Sequence, residues 1–379
     1  MAQIRNILIV CGEPSGDLLA GSLASQIRAL DPQIKINAVG GQALTQSKAN
    51  VFYNIKDLAV MGLFDVLKNI PKFLKLKQIV LDKIREEKPD AVILVDFSGF
   101  NLRLAKDINN QAPVIYYVSP QIWASRPGRI RQIKKFIRRM IVLFKFEEEL
   151  YRSAGVDTYF AGHPLVDIVK IKQNKEEFLK DNALDPQKTT IALLPGSRKQ
   201  EIKHILPVML KTAGLIAKKY PQAQFIIARS ENVELVTYQR MVKASSLNIK
   251  IIEGRTHDCL NAADLSLVCS GTATLEAGLV GNPFLIVYKM SLLNYLLYRP
   301  QVKIPFIGII NIIAQKKIIP EFIQFKACAE NISFEAVALL NDPKLQQKMQ
   351  NDLKDACVNL GSSGASLRAA QSILPLLKK

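Results

Sequence analysis

The sequence predicts two successive doubly wound α/β domains. Three observations carry that expectation. Short, continuously apolar, β-rich runs alternate with helical patterns, as in parallel sheets covered on both faces. The alternation loosens once, over 166–186, and then restarts. The chain has 379 residues, which suits two domains of roughly 150–200 residues each. The bounds expected are 1–168 for an N-terminal domain and 187–350 for a C-terminal one. A helical tail follows over 351–379, for which a return to the N-terminal domain is one placement.

In the first half, Ile7–Val10, Ile34–Val39, Ala91–Val95, Val114–Val118 and Met140–Leu143 read as strands. Leu18–Leu30 reads as the first helix. The stretch IVKIKQNKEEFLKDNALDPQK is charged and irregular, and is read as the interdomain connection. Strands resume at Thr190–Leu194, Gln224–Ala228, Ile249–Ile252, Leu265–Val268 and Phe284–Tyr288. Between them Ile202–Lys218, Glu231–Ala244 and Thr274–Val280 read as helices. Two such halves predict a ligand cleft between them, at the C-terminal ends of the strands.

Bulk composition narrows the partner. The formal net charge is +18, which implies an anionic partner such as nucleic acid, anionic lipid or a phosphorylated substrate. Aromatic residues are only 7%, and neither an aromatic-plus-basic RNA motif nor zinc-finger spacing occurs, so nucleic acid is disfavoured. The five cysteines, Cys11, Cys259, Cys269, Cys328 and Cys357, form no CxxC pair, which fits a reducing cytoplasm. The N-terminus reads as a strand entering a loop rather than as a signal peptide. The apolar-rich region Asn282–Ile323 is interrupted by Lys289, Arg299, Lys303 and prolines, and is not read as a membrane span.

Four strand-to-helix loops could carry chemistry. The first is Gly12-Glu13-Pro14-Ser15-Gly16-Asp17. Its glycines allow a tight turn beside a helix N-terminus. It is neither GxGxxG nor a P-loop. Glu13 and Asp17 would repel phosphate, which favours sugar, while a plain turn capped by Ser15 or Asp17 is an equal reading. The second is Val95-Asp96-Phe97-Ser98-Gly99-Phe100-Asn101. Asp96 ends an apolar strand, where it could take a proton from a substrate hydroxyl or simply cap the next helix. The third, Pro195-Gly196-Ser197-Arg198 with Glu201 beyond, offers N–H groups, a hydroxyl and a guanidinium to an anion, with a solvated turn as the competing reading. The fourth, Ser270-Gly271-Thr272-Ala273-Thr274-Leu275-Glu276, permits close approach to a diphosphate. Glu276 there is placed to accept from ribose hydroxyls. A capping box is the competing reading.

Other signals are weaker. His163, His204 and His257 show no metal-ligand spacing, and no Asp-x-Asp occurs. His163 is read equally as a cleft imidazole and as a packed hinge residue. Lys134, Lys135, Arg138 and Arg139 form a basic cluster, either a solvated face or a lipid-headgroup contact. The segment from Ala59 to Lys77 interleaves apolar residues with lysines. It fits an interfacial segment on anionic lipid, and core packing is the alternative.

Taken together, GEPSGD, VMGLFDVL, VDFSGFN, YYVSPQIWASR, FAGHPLVD, LLPGSR with EI two residues on, SGTATLE and NIIAQKKIIPEFIQ resemble the lipid-A-disaccharide synthase family. The motifs stand in the family's order from Gly12 to Gln324. The resemblance implies a GT-B fold, inverting glycosyl transfer, and no metal or other cofactor. The implied substrates are UDP-2,3-diacylglucosamine and 2,3-diacylglucosamine 1-phosphate, and the implied place is the inner face of the cytoplasmic membrane. Asp96 then matches the candidate base. Ser197 and Arg198 match the loop near the UDP phosphates, and Ser270, Gly271, Thr272, Thr274 and Glu276 the nucleotide segment. Asn311, Glu321 and Gln324 match the late motif facing the cleft. Gly12, Glu13, Ser15, Gly16, Asp17, Met61 and Asn101 fall in motifs implied to contact substrate. The family often has Asp where Gly99 stands, so a second carboxylate beside Asp96 is absent. It often has Glu at the position of Asp65 and Trp at that of Ser125. Two other readings stay open: a UDP-sugar epimerase of the same fold, and a non-enzymatic membrane or nucleic-acid binding module. A dehydrogenase is disfavoured, because no strand leads into GxGxxG.

Overall fold

A computed structural model describes residues 5–58, 70–108, 111–245, 247–302 and 304–377. The chain divides into two compact units. Unit 1 comprises Met1–Asp167, Gln301–Lys303 and Leu360–Lys379; unit 2 comprises Ile168–Pro300 and Ile304–Asn359.

Unit 1 holds a seven-stranded parallel sheet. Its strands are β1 (Asn6–Val10), β2 (Lys35–Gly40), β3 (Asn50–Asn54), β4 (Ala91–Val95), β5 (Val114–Tyr117), β6 (Arg139–Val142) and β7 (Thr158–Phe160). The order is β3-β2-β1-β4-β5-β6-β7. Every residue of β4 is buried, and four of the five in β1, because helices cover both faces of a parallel sheet. Truncating such a residue, for example Ile93→Ala, should cost about 2–5 kcal/mol. The winding direction reverses between β1 and β4, so the loops leaving their C-terminal ends splay apart and open a crevice.

The helix Pro14–Leu30 follows β1. Proline at its first turn needs no N–H partner, and Ala20, Leu23, Ala24 and Ile27 form its buried stripe. Gly21 sits against Ala43, where a Cβ would come within 2.7 Å of the backbone. The helix Ala365–Ile373 packs on Pro14–Leu30, with the Ser22 and Ser366 hydroxyls 2.8 Å apart. The end of the chain is therefore part of unit 1.

Unit 2 repeats the plan with six strands: β8 (Thr190–Leu194), β9 (Gln224–Arg229), β10 (Ile249–Glu253), β11 (Leu265–Cys269), β12 (Phe284–Tyr288) and β13 (Glu321–Ile323). Their order is β10-β9-β8-β11-β12-β13, all parallel. Here the reversal falls between β8 and β11.

The boundaries differ from those read in the sequence. The change of unit comes at Asp167/Ile168, and 168–186 is packed rather than a connection. It carries the helix Lys175–Asp181, whose Phe178 and Leu179 are buried. The Asp258 carboxylate accepts the backbone N–H groups of Lys172 and Gln173 at 2.7 and 3.1 Å. Unit 2 runs to Asn359, so the helix Pro343–Val358 belongs to it throughout, not partly to a separate tail. Among the described residues, no helix is long and apolar enough to cross a membrane.

Candidate functional site

In unit 1 the crevice is edged by the loops after β1 and β4. Asp96 and Phe97, directly after β4, both have φ of +48°. That left-handed conformation costs an L-residue roughly 1–2 kcal/mol and is least natural for a bulky side chain. Hydrogen bonds hold it in place. The Asp96 carbonyl accepts the Tyr116 hydroxyl at 2.5 Å and the Asn101 Nδ2 at 2.9 Å. Asn101 Nδ2 also lies 3.2 Å from the Val95 carbonyl and 3.4 Å from that of Val10. The Asp96 N–H donates to the Tyr117 carbonyl at 3.1 Å. Burial, reinforced by the nearby Asp96 charge, holds the Tyr116 hydroxyl well above its usual range, so it stays a donor. The β4 loop is thus braced from β1, β5 and its own helix, and it presents Asp96 at the crevice.

Two residues expected to touch substrate brace this frame. Asn101 is fully buried, with its amide turned to the backbone carbonyls. Asp17 is also buried. Its carboxylate accepts the N–H groups of Gly41, Ala43 and Leu44 at 2.7, 2.9 and 3.4 Å, where the helix Gln42–Gln46 begins. A buried carboxylate needs donors and a helix N-terminus has spare ones, so the two satisfy each other. Gly12 has a steric reason to be glycine: a Cβ would lie 2.3 Å from the Phe97 ring. Gly16 backs directly onto Asp96, whose Cβ is 3.9 Å from where its own Cβ would be. Glu13 is half-buried and Ser15 exposed. Met61 lies outside the described residues.

Beside Asp96 stands an aromatic trio that sequence reading missed. Phe97 stacks on Phe100 with centroids 5.3 Å apart, and Phe73 lies 6.0 and 6.3 Å from them. Phe73 belongs to the helix Ile70–Glu87, the described end of the lysine-interleaved segment. On that helix Ile70 and Leu74 are exposed, while Leu76, Val80 and Ile84 are buried. The part over 59–69 lies outside the described residues.

A second missed feature is Glu147, in the first turn of the helix Lys145–Ser153 after β6. Its carboxyl accepts the Ser119 hydroxyl at 2.7 Å and the Trp123 indole N–H at 3.1 Å. Burial raises it from 4.5 to about 7, against the pull of those bonds. Val118, between β5 and Ser119, is a β-branched residue at φ +66°. His163 is buried as well: its Nδ1 accepts the Leu165 N–H at 3.1 Å, and burial lowers it to about 3. It is the packed residue of the two readings, not a titrating imidazole.

In unit 2 the crevice loops follow β8 and β11. Gly196 has φ of +114° and Gly271 of +141°, conformations that essentially require glycine. Arg198 caps the helix Lys199–Lys219. The Glu201 carboxylate accepts the N–H groups of Ser197 and Arg198 at 3.0 and 3.2 Å and lies 3.4 Å from the guanidinium. The N–H groups expected to greet a phosphate are therefore bonded to a carboxylate of the same chain, which occupies the anion's place. Around Gly271 nothing lies within 4 Å of a would-be Cβ, so that loop is open to a ligand. Thr272 is exposed, whereas Thr274 is buried, its hydroxyl on the Gly271 carbonyl at 2.8 Å.

Glu276 meets a partner that sequence spacing did not suggest. His257 Nδ1 accepts the Lys170 N–H at 3.3 Å, so its proton sits on Nε2, 3.1 Å from Glu276 Oε1. One oxygen of the expected ribose acceptor is thus already oriented by an imidazole.

The late-motif residues brace the backbone. Asn311 is fully buried and uses its whole amide. It donates to the Ile319 carbonyl and Glu321 Oε1, and accepts from the N–H groups of Ile318 and Ile319, at 2.8–2.9 Å. Glu321 accepts the N–H groups of Ile307 and Gly308 at 3.0 and 2.9 Å. Gln324 clasps both backbone groups of Met290 at 3.2 and 3.1 Å. Ser270 joins this frame through its hydroxyl, 2.9 Å from the Ile307 carbonyl. Buried polar atoms are stable only when paired, and the backbone groups of Met290, Ile307, Gly308, Ile318 and Ile319 supply the partners. Among the described residues, no cluster of three or more His, Cys, Asp or Glu side chains could hold a metal ion.

The family model for lipid-A-disaccharide synthetase matches residues 7–374. The chain belongs to the lipid-A-disaccharide synthase family. A lipid-A-disaccharide synthase of Syntrophus aciditrophicus is 40% identical over 375 residues, covering 98% of each chain. One from Syntrophotalea carbinolica is 36% identical over 382 residues, covering 100% of this chain and 97% of its own. Among solved structures, a UDP-GlcNAc 2-epimerase of Neisseria meningitidis bound to UDP-GlcNAc aligns with a TM-score of 0.66, covering 98% of this chain and 100% of its own. At 14% identity that likeness shows the fold alone, the GT-B architecture shared by such glycosyltransferases and epimerases. Like its lipid-A-disaccharide synthase relatives, the chain is a glycosyltransferase of lipid A biosynthesis. The epimerase and non-enzymatic readings are not favoured, because the full-length relatives are synthases.

Proposed function

We propose that the chain transfers the 2,3-diacylglucosaminyl group of UDP-2,3-diacylglucosamine to the 6-hydroxyl of 2,3-diacylglucosamine 1-phosphate. The observation that carries this is the placement of Asp96 at the switch point of unit 1, its backbone carbonyl held by the Tyr116 hydroxyl and the Asn101 amide, in a chain of this family. Asp96 takes the proton of the acceptor hydroxyl. That oxygen forms its bond to the donor anomeric carbon, the bond from that carbon to the diphosphate breaks, and UDP leaves with inversion. Arg198, Ser197 and the open Gly271 loop hold the departing diphosphate, for which the Glu201 carboxylate yields its N–H donors. Glu276, oriented by His257, receives the ribose hydroxyls. Gly12, Glu13, Ser15 and Gly16 line the acceptor side, and the Phe73, Phe97 and Phe100 rings offer an apolar wall to an acyl chain.

Both substrates carry acyl chains, so the enzyme works as a peripheral protein on the inner face of the cytoplasmic membrane. The net charge of +18 and the lysine-interleaved segment over 59–77 support that placement. The test is direct. Purified protein is given the donor and the 1-phosphate acceptor dispersed in detergent, and the products are followed by mass spectrometry. Equal amounts of disaccharide 1-phosphate and UDP are expected. Release of a free sugar without disaccharide would replace the transferase reading with an epimerase-like one.

A further inference from the structure

Unit 2 carries a second surface built for a bilayer. The helix Leu292–Tyr298 follows β12, and its start is capped by Ser291, whose hydroxyl accepts the Asn294 N–H. Leu292, Leu293, Leu296 and Leu297 are 41–60% exposed. Positions i, i+1, i+4 and i+5 share one helical face, so these four leucines form a single stripe rather than scattered exposure. Phe325, after β13, is 73% exposed, and its ring meets Tyr295 edge-on at 5.9 Å. A contiguous exposed apolar patch of this kind marks an interaction surface.

The charge around it identifies the partner. From Ala277 to Pro320 the chain holds Lys289, Arg299, Lys303, Lys316 and Lys317, and no Asp or Glu. Arg299 directly follows the leucine helix, Lys289 precedes it, and the exposed Lys326 adjoins Phe325. Of the five, Lys316 is paired with Asp352. The two acids that flank this stretch are both engaged, Glu276 with His257 and Glu321 with the backbone N–H groups of Ile307 and Gly308. Exposed leucines whose nearest charges in sequence, Lys289 and Arg299, are both cations complement an anionic lipid surface, where the leucines enter the acyl boundary and the cations meet headgroups. The patch also leaves the C-terminal ends of β12 and β13, the same sheet edge that bears the Ser270–Glu276 loop.

We infer that the helix Leu292–Tyr298 and Phe325 form a membrane-docking surface of unit 2 that seats on anionic lipid beside the donor site. This rests on the reading that the substrates are lipid-borne, and it is independent of the 59–77 segment in unit 1. The full chain is sedimented with vesicles of phosphatidylethanolamine and phosphatidylglycerol, and with phosphatidylcholine alone. The triple variant Leu293→Ser, Leu296→Ser, Phe325→Ser should lower partitioning onto anionic vesicles about tenfold. Arg299→Gln with Lys326→Gln should lower it less and reduce its salt dependence. A control, Phe334→Ser with Val358→Ser, removes equally exposed apolar groups elsewhere and should leave partitioning unchanged. UDP-induced thermal stabilisation retained by the triple variant shows that it is folded with its nucleotide site intact. Unchanged vesicle binding by that folded variant overturns the proposal. So does a shift in oligomeric mass by sedimentation velocity with vesicle binding intact, which would assign the patch to a second copy of the chain. If detergent-dispersed substrates give no disaccharide while wild-type docking and its loss persist, the catalytic reading fails and the surface stands.

Discussion

The crevice loops of the two units solve the same topological problem with opposite materials. In unit 1 the turn after β4 is made by Asp96 and Phe97, non-glycine residues held left-handed. In unit 2 the turns after β8 and β11 are made by Gly196 and Gly271. On the proposed mechanism, the difference follows from what each edge must offer. Unit 1 needs a carboxylate at the turn, so it accepts backbone strain and offsets it with Asn101 and Tyr116 on the Asp96 carbonyl. Unit 2 needs room for a diphosphate, and glycine supplies both the conformation and the space. One edge works through a side chain, the other mainly through backbone.

The largest test of that contrast is Asp96→Asn. Asn tolerates the left-handed region as Asp does, so the fold and the UDP site should survive while turnover falls about 10²–10⁴-fold. Near-normal turnover in a steady-state assay would remove Asp96 as the base. Next comes Glu147. Folded, it protonates near pH 7 instead of 4.5. Between those values the folded chain keeps a proton that the unfolded chain has released. Its contribution is fully present below pH 4.5 and lost as pH rises through about 7. Glu147→Gln should remove that slope, on the order of 3 kcal/mol across the window, in denaturant titrations at stepped pH. An identical slope in the variant would sink the assignment.

Arg198→Ala probes the other edge. Losing a charged hydrogen bond to phosphate should weaken UDP about 10–100-fold by calorimetry; unchanged affinity would take Arg198 out of the phosphate site. The smallest effect is the direct exchange of materials. Gly271→Ala has space for its methyl group and only backbone strain against it, so it should lower stability by about 1–3 kcal/mol. Asp96→Gly should leave stability level or slightly raised by chemical denaturation while abolishing turnover. A stability loss at Asp96→Gly as large as that at Gly271→Ala would mean the two edges are not built differently.

Much of the frame was legible in sequence. The central strands β1, β4, β8 and β11 are continuous apolar runs because both faces of a parallel sheet are covered. The strands that sequence reading missed, β3, β7 and β13, all lie at sheet edges. Their residues are mostly half-buried or exposed, and their apolar runs are only two or three residues long. The site was legible as loops rather than as roles. Asp17, Asn101, Asn311, Glu321 and Gln324 sit in the expected motifs, and each makes hydrogen bonds to backbone groups. Composition cannot separate a polar side chain that binds a ligand from one that braces the loop presenting it.

By itself, the sequence determined the two doubly wound units, the four crevice loops and the family. These depend on local periodicity and ordered motifs, which are written along the chain. Only the tertiary structure decided that the Asp17 carboxylate is consumed by backbone N–H groups. Asp96 and Asp17 both follow a strand, but the winding puts Asp17 against the spare N–H groups at Gly41–Leu44 and leaves Asp96 at the switch point. The pairings of His257 with Glu276 and of Glu147 with Ser119 and Trp123 join residues 19 to 28 apart in sequence. Contacts at that separation exist only once the sheets have closed, and no local pattern records them.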